Sequence, residues 1–294
     1  MSNEITVLRP DNALRKGYAS LVSDIVHELV ATRWLTFQLF KRDLFAFYKQ
    51  SIIGVFWVVL LPIITVGTFI LLRGSGIVAT GEIQVPYPIY AVLGVAFWQL
   101  FAQGLVSGAN SLVMGGEMIT RINFSKKALV IASTGRTVVS FAVLVVLVVI
   151  LVIAYRFMGY AYAPPLGILL VPFAIIPLYL LTLGLSFYLA LLNAVMRDVG
   201  TVISMLIPFL MLLTPVLYER PVVGPDTNAM TRLLDLITEY NPVYYLVVGP
   251  RDLVLTGSMT ELNAFLVTSA ASVVLFVFTL IGFHVTETRI AERI

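Results

Sequence analysis

The side chains able to do acid–base or metal chemistry are few and dispersed. There is no cysteine, and the two histidines, His27 and His284, lie outside the long apolar stretches. The carboxylates Glu82, Glu219, Asp226, Asp235, Glu239, Asp252 and Glu261 stand in connections, with no histidine among them and no spacing of metal ligands. Asp235 and Glu239 fall one helical turn apart, which reads as a solvated face. A transferase needs carboxylates or histidines gathered at the membrane face, so neither a catalytic residue nor a metal site is expected. A phosphate-binding loop is also missing: the Gly115-Gly116 pair lacks the lysine and the preceding strand. A pump built on this chain would need its ATPase, with ATP and Mg, on a separate subunit.

What the sequence does concentrate is aromatic surface. Trp34, Phe37, Lys41, Leu44 and Tyr48 recur at steps of three or four, with Arg33, Lys41, Arg42 and Lys49 supplying positive charge. Such a helix lies at the headgroup level, cations toward anionic lipid. It reads either as a membrane anchor or as a sliding helix beside a lateral entrance. Trp57, Phe97, Trp98 and Phe101 follow in apolar segments, and Tyr218, Tyr240, Tyr244 and Tyr245 in the last long connection. Aromatic faces stack on sugar rings. Taken singly, each also fits an interfacial belt or helix packing; as a set they fit a carbohydrate path.

The elements that must hold these residues are membrane helices. The 294 residues are 59% hydrophobic and only 12% charged, with mean hydropathy +0.97; soluble domains carry about 25% charge. Six spans are predicted: 51–72, 88–113, 137–155 (beginning a turn or more earlier, near Leu129), 166–196 kinked at Pro172 and Pro177, 199–218, and 263–283. The fold class is thus all-α and polytopic. Residues 1–50 form a tail and amphipathic interface helix, with helical periodicity over 18–31, and 51–294 form the six-span domain. The segment 115–127 is expected as a cytoplasmic docking (coupling) helix. The connection 219–261 is expected as two short re-entrant outer helices, with Asn241-Pro242 as cap and first turn. Fourteen of the 19 Lys and Arg residues fall on the side of both termini, which places that side in the cytoplasm. The six apolar cores carry no Asp, Glu, Lys, Arg or His, so coupling to an ion gradient has no evident device.

Four segments resemble ABC-transporter permeases that export lipid-linked polysaccharides. Arg42-Asp43-Leu44, Tyr48-Lys49-Gln50-Ser51 and Gly54-Val55-Phe56-Trp57 leading to Pro62 are similar to the family's opening signature. Arg121-Ile122-Asn123-Phe124 with Ser125-Lys126-Lys127 is similar to its coupling region, although Ser125 stands where a proline is usual. Arg197-Asp198-Val199 resembles the turn before its fifth span, and Asn241-Pro242 its re-entrant segment.

The resemblance implies a homodimer in the bacterial cytoplasmic (inner) membrane, served by two copies of a separate ATPase subunit. The cargo would be a polyprenyl-linked or otherwise lipid-linked glycan, with O-antigen favoured over capsule by 287–293, teichoic acid remaining open, and no nucleic acid involved. It assigns Trp34, Phe37 and Tyr48 to the gate helix and Arg42 to the pyrophosphate. Trp57, Phe97, Trp98 and Phe101 are assigned to the glycan, with Tyr244 and Tyr245 at the outer side. Arg121, Ile122, Asn123, Phe124 and Lys126 would meet the ATPase. The competing readings are an ABC exporter of drugs or small lipids, and a membrane-embedded glycosyl or phosphoryl transferase.

Overall fold

The computed structural model describes residues 18–49, 56–76, 81, 83, 85–116, 118, 124–160, 162, 165–225 and 227–290. Among these residues the regular structure is helical throughout. Helix α1 is Tyr18–Ala31, α2 Arg33–Lys49, α3 Phe56–Gly74, α4 Tyr87–Met114 and α5 Lys127–Phe157. A short 3-10 turn, Leu166–Leu170, leads into α6, Val171–Val195; then come α7, Asp198–Leu213, α8, Ala229–Glu239, α9, Pro242–Leu255, and α10, Leu262–Ile290.

Helix α4 is the axis of the bundle. It packs against α5 on one side and α6 on the other, α10 covers the far side of α6, and α3, α7 and α9 fill in around it. Close approach of α4 to α6 depends on small residues. A Cβ on Gly104 would stand 2.6 Å from Thr182 Cγ2, and one on Gly108 would collide with Ser186. Gly, Ser and Thr at a helix seam let backbones approach where lipid gives no hydrophobic drive. The hydroxyls are satisfied at home: Thr134 donates to the Val130 carbonyl (2.8 Å) and Thr182 to that of Leu178 (2.8 Å).

Outward faces are apolar. Leu266, Val267, Val273, Val274, Val277 and Phe278 of α10 are exposed, as are Val146, Val149, Ile150 and Ile153 of α5. Exposed apolar surface on this scale suits lipid and not water. Among the described residues, five helices are long and apolar enough to cross a membrane: α3, α4, α5, α10 and the 3-10/α6 unit 166–195. The chain is thus a multi-pass membrane protein.

Two boundaries differ from the sequence-based expectation. The segment expected to span over 199–218 is helical only over Asp198–Leu213, 16 residues; at 1.5 Å per residue that is about 24 Å, short of the ~20 residues a crossing needs. The third span starts at Lys127, close to the expected start near Leu129, with Arg136 on the helix. Pro172 does not kink a long helix but begins one: it sits in the first turn of α6, where a missing N–H costs nothing, after the 3-10 turn. Pro177 lies inside α6. The expected helix over 18–31 forms as α1. Two short helices occupy the last long connection, and Asn241 caps the second by accepting the Val243 N–H at 3.0 Å.

Candidate functional site

At one end of the bundle, α1 and α2 lie against the beginnings and ends of the long helices. Helix α2 buries Leu39 and half-buries Leu35 and Phe40 against α5 and its surroundings, where Gly135 leaves room for the Phe40 ring. The opposite face is aromatic and basic. Trp34 is 68% exposed and Phe37 53%, their rings 6.1 Å apart, and the Lys41 ammonium sits 5.9 Å from the Phe45 ring centre. Arg42 pairs with the adjacent Asp43 at 2.8 Å and donates to Met118 Sδ at 3.4 Å. Asp43 in turn accepts the Ser133 hydroxyl of α5 at 3.4 Å. The Tyr48 side chain lies outside the described residues, as do residues 117 and 119–123, among them Arg121, Ile122 and Asn123.

The first turn of α5 carries a buried charge cluster that the sequence did not single out. Lys127 is fully buried; its ammonium donates to Glu28 of α1 at 2.8 Å and to Glu287 of α10. His284 Nδ1 lies 3.4 Å from Glu28 and 3.5 Å from Glu287. Burial raises the Glu28 carboxyl, but hydrogen bonds from His284, Lys127 and Ser125 outweigh it and hold its pKa down to about 2. By distance alone Glu28, His284 and Glu287 could hold a metal ion. The Lys127 ammonium already stands between the two carboxylates, however, and supplies their counter-charge. The cluster ties α1, α5 and α10 into one unit.

Lys126, expected at the ATPase contact, is buried, and its ammonium donates to the Glu287 carbonyl at 2.9 Å. Burial also pushes its pKa below the usual lysine range. The residue holds the end of α10. Phe124 is half-buried against the same apolar cluster. No local pattern could have announced these partners, because Glu28, Lys126 and Glu287 are brought together from across the chain.

At the opposite end, the chain leaving α7 is pinned in a series of turns and bends over 214–218. Arg251 of α9, 4% exposed, donates to the carbonyls of Val216 (3.2 Å) and Pro215 (3.5 Å) and lies 4.2 Å over the Tyr90 ring. The hydroxyls of Tyr87 and Tyr90 donate to the carbonyls of Leu217 (2.9 Å) and Tyr218 (3.0 Å). Asn241 donates to Thr214 Oγ1 at 2.8 Å. Gly94 is required beneath: a Cβ there would stand 2.5 Å from the Val216 carbonyl oxygen. Outside this knot, Arg220 pairs with Asp235 at 2.6 Å and approaches Glu261 and Glu239 at 3.5 and 3.7 Å. The Asp235 hydrogen bond raises the Arg220 pKa further. These carboxylates thus serve an arginine, with no nucleophile or histidine beside them among the described residues.

The aromatic residues assigned to a path divide in two. Trp57 of α3 is 41% exposed. Phe97, Trp98 and Phe101 of α4 are 0, 3 and 3% exposed; Phe97 packs on Phe141 at 5.3 Å and Trp98 on Phe101 at 5.7 Å. Tyr244 and Tyr245 are also buried, their hydroxyls donating to Glu261 Oε1 (3.3 Å) and the Glu239 carbonyl (2.9 Å). Within the subunit, these five residues build the core and the α8–α9 corner.

No protein-family model matches the chain. Among curated proteins, the O-antigen export system permease protein RfbA of Myxococcus xanthus is 24% identical over 227 residues, covering 75% of this chain and 84% of that one. Two further O-antigen export system permease proteins RfbA, both from Klebsiella pneumoniae, are 22% and 23% identical over 221 and 219 residues, each covering 74% of this chain and 79% and 78% of their own. The chain is similar to O-antigen export permeases. That agrees with the resemblance carried by the four motifs. A permease similarity over three quarters of the chain also fits the bundle's apolar exterior and the scattered, arginine-bound carboxylates of the α8–α9 corner.

Proposed function

We propose that this chain is the transmembrane permease subunit of an ATP-driven exporter that moves a lipid-linked polysaccharide, O-antigen in the first instance, across the bacterial cytoplasmic membrane. The observation that carries the reading is the similarity to three O-antigen export permeases over about three quarters of the chain. Transport and not catalysis is its task; ATP and Mg belong to a separate nucleotide-binding subunit. Two copies of the chain work with two copies of that ATPase. Both termini are cytoplasmic, and α7 with the pinned segment 214–218 makes the sixth crossing. Helices α8 and α9 dip into the outer leaflet and return. The exposed aromatic-basic face of α2 receives the lipid carrier, with Arg42 beside its phosphates.

Force from the ATPase enters through the segment around 115–127, with Arg121, Ile122, Asn123 and Phe124 at the contact. The Lys127 cluster makes this efficient. Because Glu28, Lys127 and Glu287 are joined in a buried network, a push at the start of α5 moves α1 and α10 with it. Two measurements test the reading. Purified alone, the chain should hydrolyse no ATP, and its deletion should leave polyprenyl-linked glycan trapped on the cytoplasmic side. Glycan still reaching the surface of the deletion strain overturns the reading.

A further inference from the structure

Between Ile89 and Leu112 every residue of α4 is buried except Gln99, Gln103, Val106, Ser107 and Asn110. These fall at steps of three or four, so they form one stripe along the helix. All but Val106 are polar, and apart from Ser111 and the polar tips of Tyr90 and Trp98 no other polar side chain occurs in that stretch. The most buried helix of the bundle thus has a single open face, and that face carries its amides and hydroxyl. Polar side chains at this depth are costly against lipid and are kept where they line a wet cavity or meet a polar partner.

The stripe does not stand alone. Gln103 donates to Gln99 at 2.5 Å, and Ser107 accepts a hydrogen bond from the Arg136 guanidinium of α5 at 3.0 Å. One turn before Arg136, Ser133 donates to Asp43, the partner of Arg42 on α2. These three groups of contacts, about a helical turn apart, lead from the aromatic-basic helix, over α5, to the middle of α4. Successive members of the stripe rise about 6 Å per four residues.

We propose that this stripe is the glycan track of the exporter, entered at Arg136 and continued by Ser107, Gln103 and Gln99. The inference rests on the export reading and names the residues that meet the cargo, replacing the buried Phe97, Trp98 and Phe101. The chemistry fits the occupant. Each glutamine amide both donates and accepts, as sugar hydroxyls do, and carries no charge to hold a passing unit tightly. Arg136, a planar guanidinium at the start of the track, matches the phosphate of a lipid-linked sugar, which it can meet with two hydrogen bonds.

The chain has no cysteine, so single-cysteine variants report without a background. In cells carrying the whole export system, Gln99→Cys, Gln103→Cys and Ser107→Cys should react with a sulfonated, membrane-impermeant methanethiosulfonate during export, at least tenfold faster than Val149→Cys or Ile150→Cys on the exposed apolar face of α5. A paired Gln99→Leu/Gln103→Leu variant, matched to wild type in membrane abundance, should export at least tenfold more slowly. Equal labelling of stripe and α5 positions, or wild-type export by the paired variant, overturns the track. Efficient disulfide cross-linking of Gln103→Cys between two copies before any glycan is loaded makes the stripe a subunit contact and also overturns it. Continued surface glycan in the deletion strain would instead sink the export reading, so the two failures are distinguishable.

Discussion

Single residues decide how the two ends of the bundle hold. Lys127 is fully buried between Glu28 and Glu287, so its removal strands two carboxylates. Lys127→Ala should cost about 3–5 kcal/mol, the usual penalty for breaking a buried pair, seen as a lowered melting temperature in detergent. Glu28 titrates near 4.5 when free and near 2 in place. Its stabilisation is therefore complete above pH 4.5, fades as the pH falls from 4.5 toward 2, and is absent below. Glu28→Gln should lower stability at neutral pH by about 1.5–3 kcal/mol and flatten that acid limb of a melting-temperature profile. At the other end, Arg251→Leu leaves the Pro215 and Val216 carbonyls without their donor. A loss of about 1–3 kcal/mol is expected, with Lys in place of Arg recovering only part of it, since the planar stack on Tyr90 is lost.

At the scale of elements, the short helix α7 is the informative piece. The apolar run 199–218 is long enough to span, yet the helix ends at Leu213. The carbonyls just beyond it, those of Val216, Leu217 and Tyr218, are taken by Arg251, Tyr87 and Tyr90, donors on other helices. Composition cannot show this, because a stretch captured by side chains from α4 and α9 has the same hydropathy as one that stays helical. At its other end α7 is set by Asn193 of α6, which donates to the Ala109 carbonyl (3.1 Å) and to Asn110 (3.0 Å) and accepts the Gly200 N–H (2.8 Å). Asn193→Leu should cost about 1–3 kcal/mol by orphaning the Gly200 N–H. It should also loosen α7, which faster amide exchange over 198–204 would reveal, with α5 unaffected.

At the scale of the whole molecule, the protein turns a bundle inside out. Its outward surface is Val, Leu, Ile and Phe, while hydroxyls, amides and glycines gather along α4, α5 and α6. The charges are displaced to the ends, where they tie helices to one another. This division suits a transporter whose energy arrives from outside the chain. In the proposed exporter the end held by the Lys127 cluster would receive the push, and the single polar face of α4 would give a hydrophilic cargo somewhere to travel.

The amino-acid sequence by itself determined the class. Its low charge, long apolar runs and the amphipathic pattern of 33–49 are local properties, and among the described residues helices form over the stretches they predict, except beyond Leu213 in 199–218. It also carried the family likeness, through short motifs at ordered positions. What only the tertiary structure decided is direction. Phe97 and Gln99 are two residues apart on one helix, and nothing local says that one faces the core and the other the opening. Likewise Lys126 and Arg136 both read as basic residues on one side of the membrane. One proved to be buried against Glu287, and the other lies on the helix beside Ser107. Which face of a membrane helix is inside is set by its neighbours, because the lipid and the core are equally apolar, and hydropathy cannot tell them apart.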